Sequence, residues 1–221
     1  MKELLISSLY SLDHTLARPL LESKSYPWEA LPEISGFILS LGATLSADEY
    51  NRLADDIWVA KTAKIAPTAF IAGPTIIGAG TEVRHCAYIR GNALIGEDCV
   101  VGNSTELKNV ILFDKVQVPH YNYIGDSILG YKAHTGAGAI TSNVKSDKTL
   151  VSVKYGNEKI ETGLKKFGAM LGDCVEIGCG SVLNPGTVIG KGASVYPLSS
   201  VRGFVAEGSI YKRAGEIVKR R

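Results

Sequence analysis

From Ile65 onward the chain is periodic in sixes. Ile65, Ile71, Ile77, Val83, Ile89, Ile95, Val101 and Leu107 fall six residues apart. Four residues after each of the first seven comes a small one: Ala69, Thr75, Thr81, Ala87, Ala93, Cys99 and Thr105. A period of six matches neither the 3.6 of a helix nor the simple alternation of a strand. It matches a triangular coil with three short strands per turn, the aliphatic residue filling the interior and the small one near a corner. Glycine follows several of the aliphatics, at Gly78, Gly96 and Gly102, and is expected to supply positive φ at the bend. The glycine excess, 24 of 221 residues against a usual ~7%, belongs to this pattern. The expected fold class is therefore all-β, a parallel β-helix built on a hexapeptide repeat.

The register falters once. The steps from Leu107 to Leu112 and from Val118 to Tyr123 are five residues, with Pro119-His120 between them. Leu129, Thr135 and Thr141 restore the six, a non-repeating stretch at about 143–167 follows, and hexads resume at Leu171, Ile177, Leu183, Ile189, Val195 and Val201. An insertion that leaves a regular solenoid and rejoins it is a candidate functional loop. The expected division is a short N-terminal helical cap over 1–60, the β-helix over 61–205, and a basic tail over 206–221. In the cap, Leu4, Leu5, Leu9, Leu12 and Leu16 have helical spacing that Pro19 is expected to end, and Ile34–Leu41 forms a second apolar stretch. Ser46 and Glu49 read as a capping box opening a short helix through Leu53. The cap is expected to pack on one end of the coil and to carry no catalytic residue.

A net charge of +2 argues against a nucleic-acid binder, which needs a clustered basic excess. The tail residues Lys212, Arg213, Lys219, Arg220 and Arg221 form the one basic cluster, read as a solvated terminus. Cys86, Cys99, Cys174 and Cys179 form no C-x-x-C pair and show no zinc spacing with the histidines, so no metal is expected. Cys99 takes a small-residue position, as a buried reduced thiol would. The N-terminus lacks the features of a signal peptide and no run of about 18 apolar residues occurs, so no membrane partner and a cytoplasmic location are expected.

Three hexads make a turn of about 18 residues, so Arg90 and Lys108 stack one above the other, roughly 4.8 Å apart. Like charges at that spacing repel by roughly 1 kcal/mol in water and by several at an effective dielectric of ~20. Such a pair is natural where both grip one anion, for instance a sugar phosphate, and equally compatible with two solvated cations splayed apart. His120 lies on the irregular stretch, flanked by Asn122 and Tyr123, where an imidazole is suited to take a proton near neutral pH.

The stretches V-G-N-S-T-E-L-K at 101–108, H-Y-N-Y-I-G-D at 120–126 and T-G-A-G-A-I-T-S-N at 135–143 resemble a known family. It is the C-terminal acetyltransferase domain of bifunctional N-acetylglucosamine-1-phosphate uridyltransferase/glucosamine-1-phosphate N-acetyltransferase. The stretch from Glu161-Thr162-Gly163 to Leu171-Gly172-Asp173 is more similar to the β-helical tails of archaeal sugar-1-phosphate nucleotidylyltransferases. The resemblance implies a left-handed coil, a homotrimer with the site between subunits, and acetyl-CoA as co-substrate. It implies Arg90 and Lys108 as sugar-phosphate ligands, His120 as general base for the amine, and Tyr123 and Asn143 near the reacting centre. His134 stands where the bacterial enzymes carry a sugar-contacting asparagine and Val144 where they carry a tyrosine. The loop lysine is displaced, leaving Lys145 or Lys148. Cys179 and Pro197 match positions along which acetyl-CoA lies. Backbone N–H groups of the glycine-rich stretch 136–138 are candidates for stabilising an oxyanion. The function this implies is N-acetylation of an amino-sugar 1-phosphate, glucosamine or galactosamine 1-phosphate. Before Ile65 there is no Gly-rich phosphate-cradling loop, so no nucleotidyltransferase half is expected within the sequence. The alternative is a non-catalytic β-helix that trimerises or regulates a separate sugar nucleotidyltransferase.

Overall fold

A computed structural model describes residues 1–213 and 216–219. The hexads close into a left-handed parallel β-helix with three faces. The first face stacks Phe70–Ile71, Tyr88–Ile89, the opening residues of Glu106–Leu112 and Tyr123–Leu129, then Ile140–Thr141, Val182–Leu183 and Ser200–Val201. The second stacks Ile57–Ala60, Thr75–Ile77, Ala93–Ile95, the closing residues of the same two long strands, Ala169–Leu171, Thr187–Ile189 and Phe204–Val205. The third runs from Lys64–Ile65 through Glu82–Val83, Val100–Asn103, Gln117–His120, His134–Thr135, Glu176–Ile177 and Ser194–Val195 to Ser209–Arg213. The five-residue steps appear as rungs shortened by one: Glu82 pairs Val100, eighteen on, but Val100 pairs Gln117 and Lys108 pairs Gly125, seventeen on.

The repeating aliphatics fill the interior: Val83, Ile89, Ile95, Val101, Leu107, Leu112, Leu129 and Leu171 are all buried. The small positions close the corners with hydrogen bonds, Thr81 Oγ1 to the Gly96 carbonyl at 2.7 Å and Thr105 Oγ1 to the Val118 carbonyl at 2.9 Å. Cys99 is buried, donates to the Phe113 carbonyl at 3.1 Å, and burial pushes its thiol up to about 12.

The glycines that follow the aliphatics serve another purpose than expected. Positive φ falls on Cys86, Asn92, Asp98 and Ser104, not on Gly78, Gly96 or Gly102. Those three are required by the next rung: a Cβ on Gly78 would lie 2.5 Å from the Gly96 carbonyl oxygen, and one on Gly102 only 1.6 Å from that of Pro119.

The N-terminal segment departs further. Instead of a helix ended by Pro19 there are short turns at Lys2–Leu4, Ile6–Leu9 and Leu12–His14, and Pro19 sits in the first turn of Arg18–Glu22, where its missing N–H costs nothing. The second apolar stretch forms the helix Ile34–Gly42. The capping box opens no helix: the Ser46 hydroxyl accepts from the Asp48 amide, and Tyr50–Ala54 is a strand pairing antiparallel with Ile57–Ala60. That pairing occupies an edge of the coil's first rung, and the rung itself falls inside the stretch expected as cap.

The segment does not sit on one end but runs along the second face. The strand residues pointing outward there, Ile76, Leu94, Ile111, Ile128, Met170 and Val188, are all buried. Ile34–Gly42 packs on the strands at 75–77, 93–95 and 106–112, and Tyr10 donates to the Ile128 carbonyl at 3.3 Å. Leu9 and His14 accept from the amides of Asp173 and Asp114 along one corner, each at 3.0 Å. The insertion supplies the rest of the cover through the hairpin Ser152–Tyr155/Glu158–Glu161 and buried Val151, Val153 and Phe167. Trp28 stacks on Phe167, ring centroids 5.8 Å apart.

At the other end the coil runs past Val201. Part of the expected tail is a hairpin of Ser209–Arg213 with Glu216–Lys219, in which Glu216 pairs with Lys212 and Arg213. Arg220 and Arg221 lie outside the described residues. No described helix is long and apolar enough to cross a membrane.

Candidate functional site

The covered second face leaves the first and third faces, and the corner they share, open to solvent. The long strands Glu106–Leu112 and Tyr123–Leu129 turn from the first face onto the second at Asn109 and Asp126, both in the left-handed region with φ of 54° and 48°. These residue types tolerate that conformation, and it aims both side chains along the corner. Asp126 is the hub. Its carboxylate, 6% exposed, receives Lys108 Nζ at 3.3 Å to both oxygens, Asn109 Nδ2 at 3.1 Å and Asn143 Nδ2. Asn143 also donates to the Tyr123 hydroxyl at 3.1 Å. Burial, and then the Asp126 charge, push the Tyr123 phenol up, while the Asn143 bond opposes them.

The two ends of the insertion meet this cluster. The Phe167 amide donates to the Asn143 carbonyl at 2.9 Å and the Gly168 amide to the Asp126 carbonyl at 2.8 Å. Asn109 carries the connection to the N-terminal segment by donating to the Leu31 carbonyl at 3.2 Å.

Arg90 stacks beneath Lys108 as the spacing predicts, its amide bonded to the Leu107 carbonyl. The two cations do not stand free: Arg90 Nη1 is 2.7 Å from Glu106 Oε1, and Lys108 is held by Asp126. Bonding to Glu106 raises the Arg90 pKa. The four groups sum to zero charge, so an anion binding here relies on the remaining N–H donors of both cations.

His120 ends the strand Gln117–His120 at the neighbouring corner, between the third and first faces. Its amide donates to Asn122 Oδ1 at 3.1 Å and its carbonyl accepts from the Gly138 amide at 3.0 Å. Asn122, 2% exposed, is fixed in turn by bonds to the Gly136 and Ala139 carbonyls. The backbone is pinned on both sides while the residue is exposed, an arrangement suited to presenting an imidazole to a substrate. Three residues after it, Tyr123 starts the strand that reaches Asp126.

Other expected residues are dispersed. His134 lies at the far edge of the third face, Nδ1 2.8 Å from Glu176 Oε2, in a shallow depression of about 500 Å³ with Asp98, Lys115, Gln117 and Lys132. It makes no bond to the Asp126 cluster, because its rung places it above Gln117, at the opposite end of the strand from His120. Lys145 turns to Asp147 and Thr149 within the insertion, and Lys148 holds a left-handed turn there, φ 60°. Cys179 and Pro197 continue the His120 corner upward: Leu198 donates to the Cys179 carbonyl, and a Cβ on Gly178 would meet Pro197 N at 2.4 Å. The amides of Gly136 and Gly138 are committed to the Ile177 and His120 carbonyls, which removes two of the expected oxyanion donors. Asp126 was not singled out from sequence although it closes the H-Y-N-Y-I-G-D stretch; the seventeen-residue rung stacks Gly125 on Lys108, and Asp126, one residue on, reaches the lysine from the corner.

Repeat and coil define a hexapeptide-repeat, left-handed β-helix protein. Residues 71–184, just over half of the chain, match the model of the GMPPB C-terminal domain, and the chain belongs to that family. It is 35% identical over 136 residues to the bifunctional protein GlmU of Methanococcus vannielii, covering 61% of this chain and 33% of that one. It is 30% identical over 200 residues to a bifunctional sugar-1-phosphate nucleotidylyltransferase/acetyltransferase of Sulfurisphaera tokodaii, covering 81% and 50%. The chain thus spans between a third and half the length of these relatives. Among solved structures it is similar to the UDP-N-acetylglucosamine O-acyltransferase of Moraxella catarrhalis, with a TM-score of 0.40 and 12% identity over 69% of this chain and 66% of that one.

Proposed function

We propose that the chain transfers the acetyl group of acetyl-CoA to the amine of an amino-sugar 1-phosphate, glucosamine or galactosamine 1-phosphate. The observation that carries the reading is the pinned, exposed His120 three residues from Tyr123, which opens the strand whose Asp126 binds Lys108 and Asn143. In this reading Arg90 and Lys108 take the phosphate. His120 removes the proton as the amine nitrogen attacks the thioester carbonyl. The C–S bond then breaks, and the proton passes to the departing thiolate. Tyr123 and Asn143 orient the reacting centre, and the coenzyme lies along Cys179 and Pro197. Lys145, Lys148 and His134 enter from the insertion or from a neighbouring copy in a homotrimer. A cytoplasmic location fits such substrates.

A second reading rests on the ion pairs. Arg90 and Lys108 are already neutralised by Glu106 and Asp126, and His134 is engaged by Glu176, as suits a silent coil that trimerises or regulates a separate nucleotidyltransferase. Incubation with acetyl-CoA and either sugar phosphate, following free thiol, separates the two. Turnover that falls about 10²–10⁴-fold in His120→Ala supports the enzyme. No turnover with any amino-sugar phosphate, or full activity in His120→Ala, leaves the second reading.

A further inference from the structure

A separate cluster of reactive side chains lies two rungs below His120 on the same corner, roughly 10 Å away, and takes no part in the site above. His85 Nδ1 is 2.7 Å from Thr68 Oγ1, and His85 Nε2 is 3.2 Å from Cys86 Sγ. The backbone holds this line of three groups in place. The Cys86 amide donates to Thr68 Oγ1 at 3.3 Å, and Asn103 Nδ2 donates to the His85 carbonyl at 3.0 Å. Cys86 is exposed and has left-handed φ of 56° at the corner. In the tautomer that donates Nδ1–H to Thr68, Nε2 turns its lone pair to the thiol, and the imidazole becomes the acceptor of the thiol proton.

The remaining cysteines lack this arrangement. Cys174 and Cys179 are exposed but have no imidazole partner among the described residues, and Cys99 is buried. A thiolate, not a thiol, attacks a disulfide, so a neighbouring base makes one exposed cysteine differ from the others.

We propose that Cys86 is a thiol-modification site that exchanges with low-molecular-weight disulfides, with His85, anchored by Thr68, as its base. His85 Nε2 takes the proton and Cys86 Sγ attacks one sulfur of R–S–S–R. The S–S bond breaks, Cys86–S–S–R forms, and RS⁻ leaves and takes from His85 the proton that Cys86 gave up. The adduct stands at the corner that carries His120, on the rungs below it. The site does not depend on the acetyltransferase reading.

The test exposes the intact protein to oxidised glutathione, quenches with acid, and reads each cysteine by peptide mass spectrometry. Cys174 and Cys179 serve as standards within the same molecules. Cys86 is expected to form its adduct about tenfold faster than either, and His85→Gln to bring it down to their rate. Equal rates at the three cysteines in the parent protein, or a lead at Cys86 that survives His85→Gln, would overturn the proposal.

Discussion

A Cβ on Gly125 would lie 2.5 Å from the Tyr123 hydroxyl and 3.0 Å from Asn143 Nδ2, so this glycine makes room for the bond between those two side chains. The clash is with the far end of a ring that can swing aside. Gly125→Ala is therefore expected to melt within a few degrees of the parent while kcat/KM for the proposed acetyl transfer falls about 10–10²-fold. A matching loss of stability would show that the position serves packing alone. Asp126 should behave oppositely. Asp126→Ala leaves Lys108, Asn109 and Asn143 without the acceptor they share, a loss of about 3–5 kcal/mol, or roughly 10 °C in Tm at ~2–4 °C per kcal/mol. Glu106→Ala, which frees only the well-exposed Arg90, is the control and should change Tm little. At this scale the sequence is a partial guide. The stacking of Arg90 under Lys108 follows from counting to 18, but a carboxylate answering each cation does not. Those carboxylates come from another position on the rung, and their reach depends on corner geometry that a linear period does not encode. His134 shows the same limit, since its place on the third face emerges only once the seventeen-residue rungs are counted.

Among the elements, the strands were legible because a coil interior three residues wide admits only aliphatic and small side chains in fixed order. The segment at 46–54 was not. Its capping-box residues favour a helix locally, yet Ile57–Ala60 has a ladder to complete, and Tyr50–Ala54 completes it. The turns between strands carry their own electrostatics. At the corner of the second and third faces burial raises the carboxyl pKa values of Asp114 and Glu97. Asp98 adds to the rise at both, Glu49 at Glu97, and His14 and Lys115 oppose it at Asp114. A carboxyl whose folded pKa is raised binds its proton more tightly in the folded state, so its ionised form costs stability at neutral pH. That cost disappears as pH falls through the folded pKa towards the ordinary 3.8. Asp114→Asn keeps an oxygen for the Glu97 amide, which Asp114 Oδ1 accepts at 2.8 Å. The variant is expected to melt above the parent at pH ~7, with the gap closing by about pH 4. A gap that widens on acidification would mean that the charge is favourably paired in the fold.

For the molecule as a whole, the unexpected feature is that one wall of the coil is an interior surface on both sides. A hexapeptide coil on its own needs only its inward residues to be apolar, yet Ile76, Leu94, Ile111, Ile128, Met170 and Val188 point outward and are buried. The first fifty residues and the insertion at 143–167 have different sequences but a common role, covering this wall and meeting where Trp28 stacks on Phe167. Their cover also explains why the candidate chemistry lies elsewhere: the corner bearing His120 and the edge bearing Arg90 and Lys108 are what the cover leaves open. Two outward positions on one turn test this asymmetry. Ile111 faces the N-terminal segment and is buried, whereas Gln117, six residues on, faces solvent beside Lys115 and Lys132. Ile111→Asp places an unpaired carboxylate against apolar side chains, at a cost of several kcal/mol, enough to expose the wall or unfold the chain. Gln117→Asp adds the same charge at a wet site next to two lysines and should be nearly neutral, within about 0.5 kcal/mol. Thermal melts and binding of a hydrophobic dye read both variants. If Ile111→Asp melts like Gln117→Asp, the N-terminal segment is only loosely laid on the coil. If it melts early and binds dye, the segment is part of the core, and the coil alone is an incomplete domain.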